Sequence, residues 1–125
     1  MARAMLDERA RFGSADQAMA FAQERIIDAF ALHHEICRIR SISDGTHSDG
    51  SSHYRNCARD FSFVDVPEDR RLAILRDARE ALNCGALVDG QFEGTAYSDF
   101  LLIYGDDKHT QHMHIQWKPQ KAMNR

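Results

Sequence analysis

Residues 112–117 read His112-Met113-His114-Ile115-Gln116-Trp117, and the alternation in this hexapeptide decides how the chain is built. Successive side chains of a β-strand point to opposite faces, so His112, His114 and Gln116 share one face while Met113, Ile115 and Trp117 share the other. One face carries chemistry and the other carries core. The apolar run Phe100–Tyr104 lies just upstream, across the polar loop GDDKHTQ (residues 105–111), and the two segments read as a hairpin. Trp117, with Phe100, Leu101 and Ile103, is assigned to the core rather than to a ligand-stacking platform, because it alternates with the chemical face.

Working back along the chain, Ser14 and Gln17 form a capping-box start, and Ala18, Phe21, Ala22, Ile26, Ala29, Phe30 and His33 follow at helical spacing. This spacing predicts a helix over about residues 15–36. Residues 1–13 are an arm that extends or frays, since Gly13 interrupts the pattern. Cys37–Ser43 reads as a short strand, and the turn-rich loop DGTHSDGSS (residues 44–52) then delivers His53. Ala58–Val66 is rich in Phe and Val and ends at Pro67. A second helix begins there, with Glu68 and Asp69 at its positive end, Leu72, Ile74, Leu75, Ala78 and Leu82 as its buried stripe, and Asn83-Cys84-Gly85 as its stop. Two helices packed on one face of a small, mostly antiparallel sheet give an α+β fold, with the whole of residues 1–125 as one domain.

Composition narrows the function. At 125 residues and 43% hydrophobic content the chain supports one core. A net charge of −3 gives no broad basic surface for phosphates, so nucleic acid is not an expected partner. Three cysteines, Cys37, Cys57 and Cys84, are an odd number without C-x-x-C spacing, which suggests neither a disulfide framework nor a zinc knuckle. The amino end has no uninterrupted apolar segment, so no signal peptide is expected, and no stretch is long enough to span a membrane.

The chemistry-bearing residues are His53, Asp60, His112 and His114. Zn2+ takes imidazole nitrogen and carboxylate oxygen, and a catalytic zinc typically has three protein ligands with a fourth position left for water. Asp60 lies among apolar residues, where an unpaired carboxylate is costly and a cation would offset the cost. Cys57 keeps a second arrangement open, since a thiolate is a good zinc ligand and His53 with Cys57 would form half of a different site. His33 and His34 are read as helix-face residues, and His47 and His109 as loop residues.

The segment SISDGTHSDGSSHYRNCARDFSF (residues 41–63) resembles the S-x-H-x-x-G-x-A-x-D segment of zinc D-Ala-D-Ala carboxypeptidases and phage endolysin peptidases. HMHIQW is similar to the H-x-H strand of their wider group, the hedgehog/DD-peptidase fold. The likeness spans roughly residues 36–118, and its specific part is Ser51, His53, Ala58, Asp60, His112 and His114. It implies zinc held by His53, Asp60 and His114, with His112 beside the metal as a catalytic partner of the activated water or the oxyanion. It also implies a peptidoglycan peptide substrate, with Tyr54, Arg55 and Tyr104 lining the cleft and Arg55 available for a substrate carboxylate. An endolysin-like enzyme without a signal would lie in a bacterial host's cytoplasm or ride in a virion, with the amino-terminal arm suited to a phage partner.

The chain departs from the carboxypeptidase pattern at Gln111, where that branch has a general-base glutamate, and glutamine takes up no proton in the useful range. His112 is then the most economical base, with Asp106, Asp107 and His109 in reserve. Asn56 stands where the family has glycine, and asparagine tolerates the left-handed backbone such a turn needs. Loss of the glutamate also keeps open a catalytically degenerate zinc-binding domain, serving as a phage structural or cell-wall-binding module.

Overall fold

The computed structural model describes residues 6–7, 11–41, 57–95 and 97–118. His53, Tyr54 and Arg55, together with most of the arm, lie outside the described residues. The fold is α+β, with helices α1 (Ala15–Leu32) and α2 (Glu68–Leu82) and strands β1 (Ile39–Ser41), β2 (Ala58–Ser62), β3 (Gly85–Val88), β4 (Gln91–Glu93), β5 (Phe100–Tyr104) and β6 (His112–Trp117). One six-stranded sheet runs in the order β1-β2-β6-β5-β3-β4. It is mixed: β5 and β3 are parallel, and every other neighbouring pair is antiparallel.

Helix α1 starts where the Ser14 hydroxyl accepts the Gln17 N–H at 3.2 Å, and the Gln17 side chain reaches back to the Gly13 N–H. It stops four residues earlier than the periodicity predicts. His34 takes a left-handed backbone (φ 59°), and the N–H groups of His33 and Glu35 both bond to Phe30 O at 3.0 Å. With no glycine or proline at that position, the sequence carries no signal for the stop. Helix α2 follows the expected punctuation, with Pro67 before it and Asn83 closing it in the left-handed conformation (φ 49°, ψ 46°). Leu72 departs from the expected stripe: it is 51% exposed, while Ile74, Leu75, Ala78 and Leu82 are buried.

The segment Gly85–Glu93 forms a hairpin that the periodicity reading passes over. Asp89 and Gly90 both have positive φ, 53° and 81°, the turn geometry whose twist matches two antiparallel strands. Asp-Gly between ALV and QFE was the available signal.

Both helices sit on one face of the sheet. Met19, Ala22, Ile26 and Phe30 of α1 and Ile74, Leu75, Ala78 and Leu82 of α2 share a core with Phe61, Ala86, Phe100, Leu102, Tyr104, Met113, Ile115 and Trp117. Every one of those strand residues belongs to the face that carries Met113. Arg59 is the exception to the pattern: it lies on this apolar face, half-buried, and donates to Met19 O at 3.2 Å and Gln23 Oε1 at 2.7 Å on α1. Burial lowers its pKa, and Asp16 opposes that shift.

Candidate metal centre and histidine cluster

The opposite face of the sheet places the chemistry. β2 and β6 are antiparallel neighbours in a register that sets Asp60 opposite His114 and Ser62 opposite His112. The register continues laterally as one row across all the strands: Ser41, Asp60, His114, Ile103, Leu87, Phe92. The row is polar on the β2–β6 side and apolar on the β5–β3–β4 side. Leu87 and Ile103 are half-buried and Phe92 is 55% exposed, so an apolar shelf adjoins the histidines.

Asp60 Oδ1 lies 2.9 Å from His114 Nδ1 and 3.7 Å from His112 Nε2. The other nitrogen of His114, Nε2, is 3.0 Å from Gln116 Oε1 on the same strand face. The three side chains are about one-tenth exposed. The carboxylate that looked costly in the sequence is therefore met by two imidazoles.

Two neighbours complete the cluster. Arg40 of β1 approaches His112, its Nη1 2.5 Å from Nδ1. His109, from the β5–β6 loop, lays its ring 5.1 Å from that of His112 and 5.2 Å from that of His114. His109 Nδ1 is 2.5 Å from Asp106 Oδ1. Backbone hydrogen bonds from Gly105 N to His109 O at 2.8 Å and from His109 N to Asp106 O at 3.0 Å hold the turn.

The electrostatics follow from this crowding. Burial is the main reason His112 titrates below the ordinary imidazole value; Arg40, His109 and His114 push the same way and Asp60 opposes them. For Asp106, burial raises the carboxyl. The hydrogen bond from His109, the Lys108 N–H and the His109 charge outweigh it, leaving the group below the usual carboxylate range.

Of the residues singled out in the sequence, Asp60, His112 and His114 are brought together. Among the described residues no three ligating groups converge as a complete metal site. The donor types nevertheless suit zinc, one carboxylate oxygen and one imidazole nitrogen from adjacent strands; at 2.9 Å they stand at hydrogen-bond distance, inside the roughly 3.4 Å that two ligands of a tetrahedral zinc keep between them. His112 does not fit as a ligand. A metal-bound imidazole donates its other N–H to an acceptor, whereas Nδ1 of His112 faces a guanidinium, which only donates.

Two expectations are revised. Cys57 belongs to the apolar core, whereas Ala58 and Asp60 face the other way, so it does not share the face of the histidine cluster. Tyr104 lies on the helix face, edge-on to Phe63 at 5.3 Å with its hydroxyl 3.3 Å from Glu68 Oε2, and does not line the cleft. Gln111 is exposed, and its carbonyl accepts the Phe63 N–H. Arg40 was not foreseen; Gln116 was expected on the face of His112 and His114 without a role, and His109 was read as a loop residue and kept only as a reserve base. An arginine in a short strand carries no distinguishing local signal.

No helix among the described residues is long and apolar enough to cross a membrane. Comparison with protein-family models, curated proteins and solved structures finds no match to this chain.

Proposed function

We propose that the chain is a zinc-dependent peptidoglycan peptidase of the D-Ala-D-Ala carboxypeptidase or endolysin type, with a hedgehog/DD-peptidase-like fold. The observation that carries the reading is the Asp60–His114 pair, joined at 2.9 Å across β2 and β6, with His112 on the same face of the sheet. Asp60 and His114 would hold zinc together with His53, and Tyr54 and Arg55, the next residues in sequence, would bind the substrate, Arg55 through a substrate carboxylate. When bound, zinc supplies Lewis acidity to a water and to the scissile carbonyl. The chain's own contribution is to orient: Gln116 Oε1 accepts from the His114 Nε2–H, and the His112 Nε2–H is presented beside Asp60 for a developing oxyanion. The apolar shelf of Ile103, Leu87 and Phe92 would receive uncharged stem-peptide side chains. The protein would act at the cell wall from a bacterial cytoplasm or a virion, with the amino-terminal arm as the contact to a phage partner.

Metal analysis of purified protein is expected to find about one zinc per chain. His53→Ala, Asp60→Ala and His114→Ala should each lose it, and His112→Ala should retain it while losing muropeptide release. Equal zinc content in all four variants would sink the ligand assignment. The exposed glutamine at 111 favours a second reading, a zinc-binding module without turnover. Stoichiometric zinc with no muropeptide released from purified cell walls would select it.

A further inference from the structure

We propose that Arg40 and Asp106 are positioning residues that lock His112 and His109 in opposite tautomers, giving the cluster one imidazole that donates and one that accepts. A guanidinium has donors only, so its 2.5 Å approach to Nδ1 of His112 requires the lone pair there and leaves the hydrogen of the neutral ring on Nε2, facing Asp60. An ionised carboxylate accepts only. The 2.5 Å contact of Asp106 therefore holds hydrogen on Nδ1 of His109 and leaves the lone pair of the neutral ring on Nε2. The two locks come from different elements, β1 and the β5–β6 loop, and act on rings 5.1 Å apart.

For the reaction, this inference rests on the peptidase reading above. It supplies the acceptor that Gln111 cannot be, and moves that role from His112 to His109. His109 Nε2 takes a proton from the attacking water as the water oxygen bonds to the carbonyl carbon, and the His112 Nε2–H donates a hydrogen bond to the carbonyl oxygen. The proton on His109 then passes to the amide nitrogen as the C–N bond breaks. The products are a carboxylic acid and an amine, and both rings return to their starting tautomers.

Imidazole nitrogen spectra of the full 15N-labelled chain at mildly alkaline pH read the tautomers directly, with and without added zinc. In wild-type protein His109 is expected as the Nδ1–H form and His112 as the Nε2–H form. Asp106→Ala should return His109 to Nε2–H, and Arg40→Glu should drive His112 to Nδ1–H, while Arg40→Lys keeps the wild-type form. On cell-wall substrate the first two variants should lower kcat roughly 100-fold at unchanged zinc content, with Arg40→Lys largely active. Either ring in the opposite tautomer in wild type overturns the proposal without need of a variant. Full kcat in folded Asp106→Ala, beside an active wild type, overturns the role given to His109 alone. A zinc-loaded wild type that releases nothing overturns the peptidase reading, and the catalytic roles of both rings with it.

Discussion

Asn83 and Cys84 show how much a single position decides. Asn83 closes α2 in the left-handed region, with its N–H on Glu80 O and that of Cys84 on Arg79 O. Asparagine tolerates this backbone and a β-branched residue does not. Asn83→Val should therefore lose about 1–2 kcal/mol in denaturant unfolding, and Asn83→Gly should lose little. The next residue is buried, and burial pushes the Cys84 thiol from 9.0 up to about 12, with Arg79 and a backbone hydrogen bond opposing. The unfolded chain then releases this proton at lower pH than the folded one. The resulting stability is complete below the unfolded value and is lost as pH rises toward the folded value. Urea midpoints measured from pH 8 upward should fall less steeply in Cys84→Ala than in wild type; parallel curves would refute the assignment. At this scale the sequence was informative about type and silent about partner: Asp60 and His114 were recognisable as ligand chemistry, but Arg40 and His109 became part of the site only through contact.

The elements differ in how openly they declare themselves. β6 was legible because a period of two separates Met113, Ile115 and Trp117 from His112, His114 and Gln116, and the structure keeps that separation. Helix α2 was legible because proline, acidic first turn and asparagine stop agree. The β3–β4 hairpin was missed because its strands are short and β4 is wholly exposed, leaving only the Asp89-Gly90 turn as a mark. The two faces also predict different energetics. Phe61 and Met113 are fully buried lateral partners, so Phe61→Ala should cost about 3–5 kcal/mol and Met113→Ala about 2–5. Ile103→Val on the half-buried shelf should cost no more than about 1 kcal/mol while altering turnover of substrates that differ in an apolar side chain. Equal stability losses for Phe61→Ala and Ile103→Val would contradict the assignment of core and open faces.

For the whole molecule, the decisive fact is that both helices and one face of the sheet share a single core. His33, the residue that caps α1, and Asp77 of α2, 2.6 Å apart, link the two helices. A domain built this way should unfold in one step, with far-ultraviolet dichroism and the fluorescence of Trp117, the sole tryptophan, giving the same denaturant midpoint. Separate midpoints would show that the helices and the sheet form independent units.

The sequence by itself determined the α+β class, the two faces of β6 and the residue types able to hold a metal, because side-chain period and helix punctuation are local properties of the chain. Only the tertiary structure decided that β2 lies beside β6 in the register that sets Asp60 against His114, 54 residues away. It also decided that β1 brings Arg40, and the β5–β6 loop His109, to the same ring. Strand order and register are settled by which apolar faces pack best over the whole core, and a slip of one residue would send Asp60 into that core. The pairing that makes a site from separate motifs is thus a consequence of burial on the opposite face.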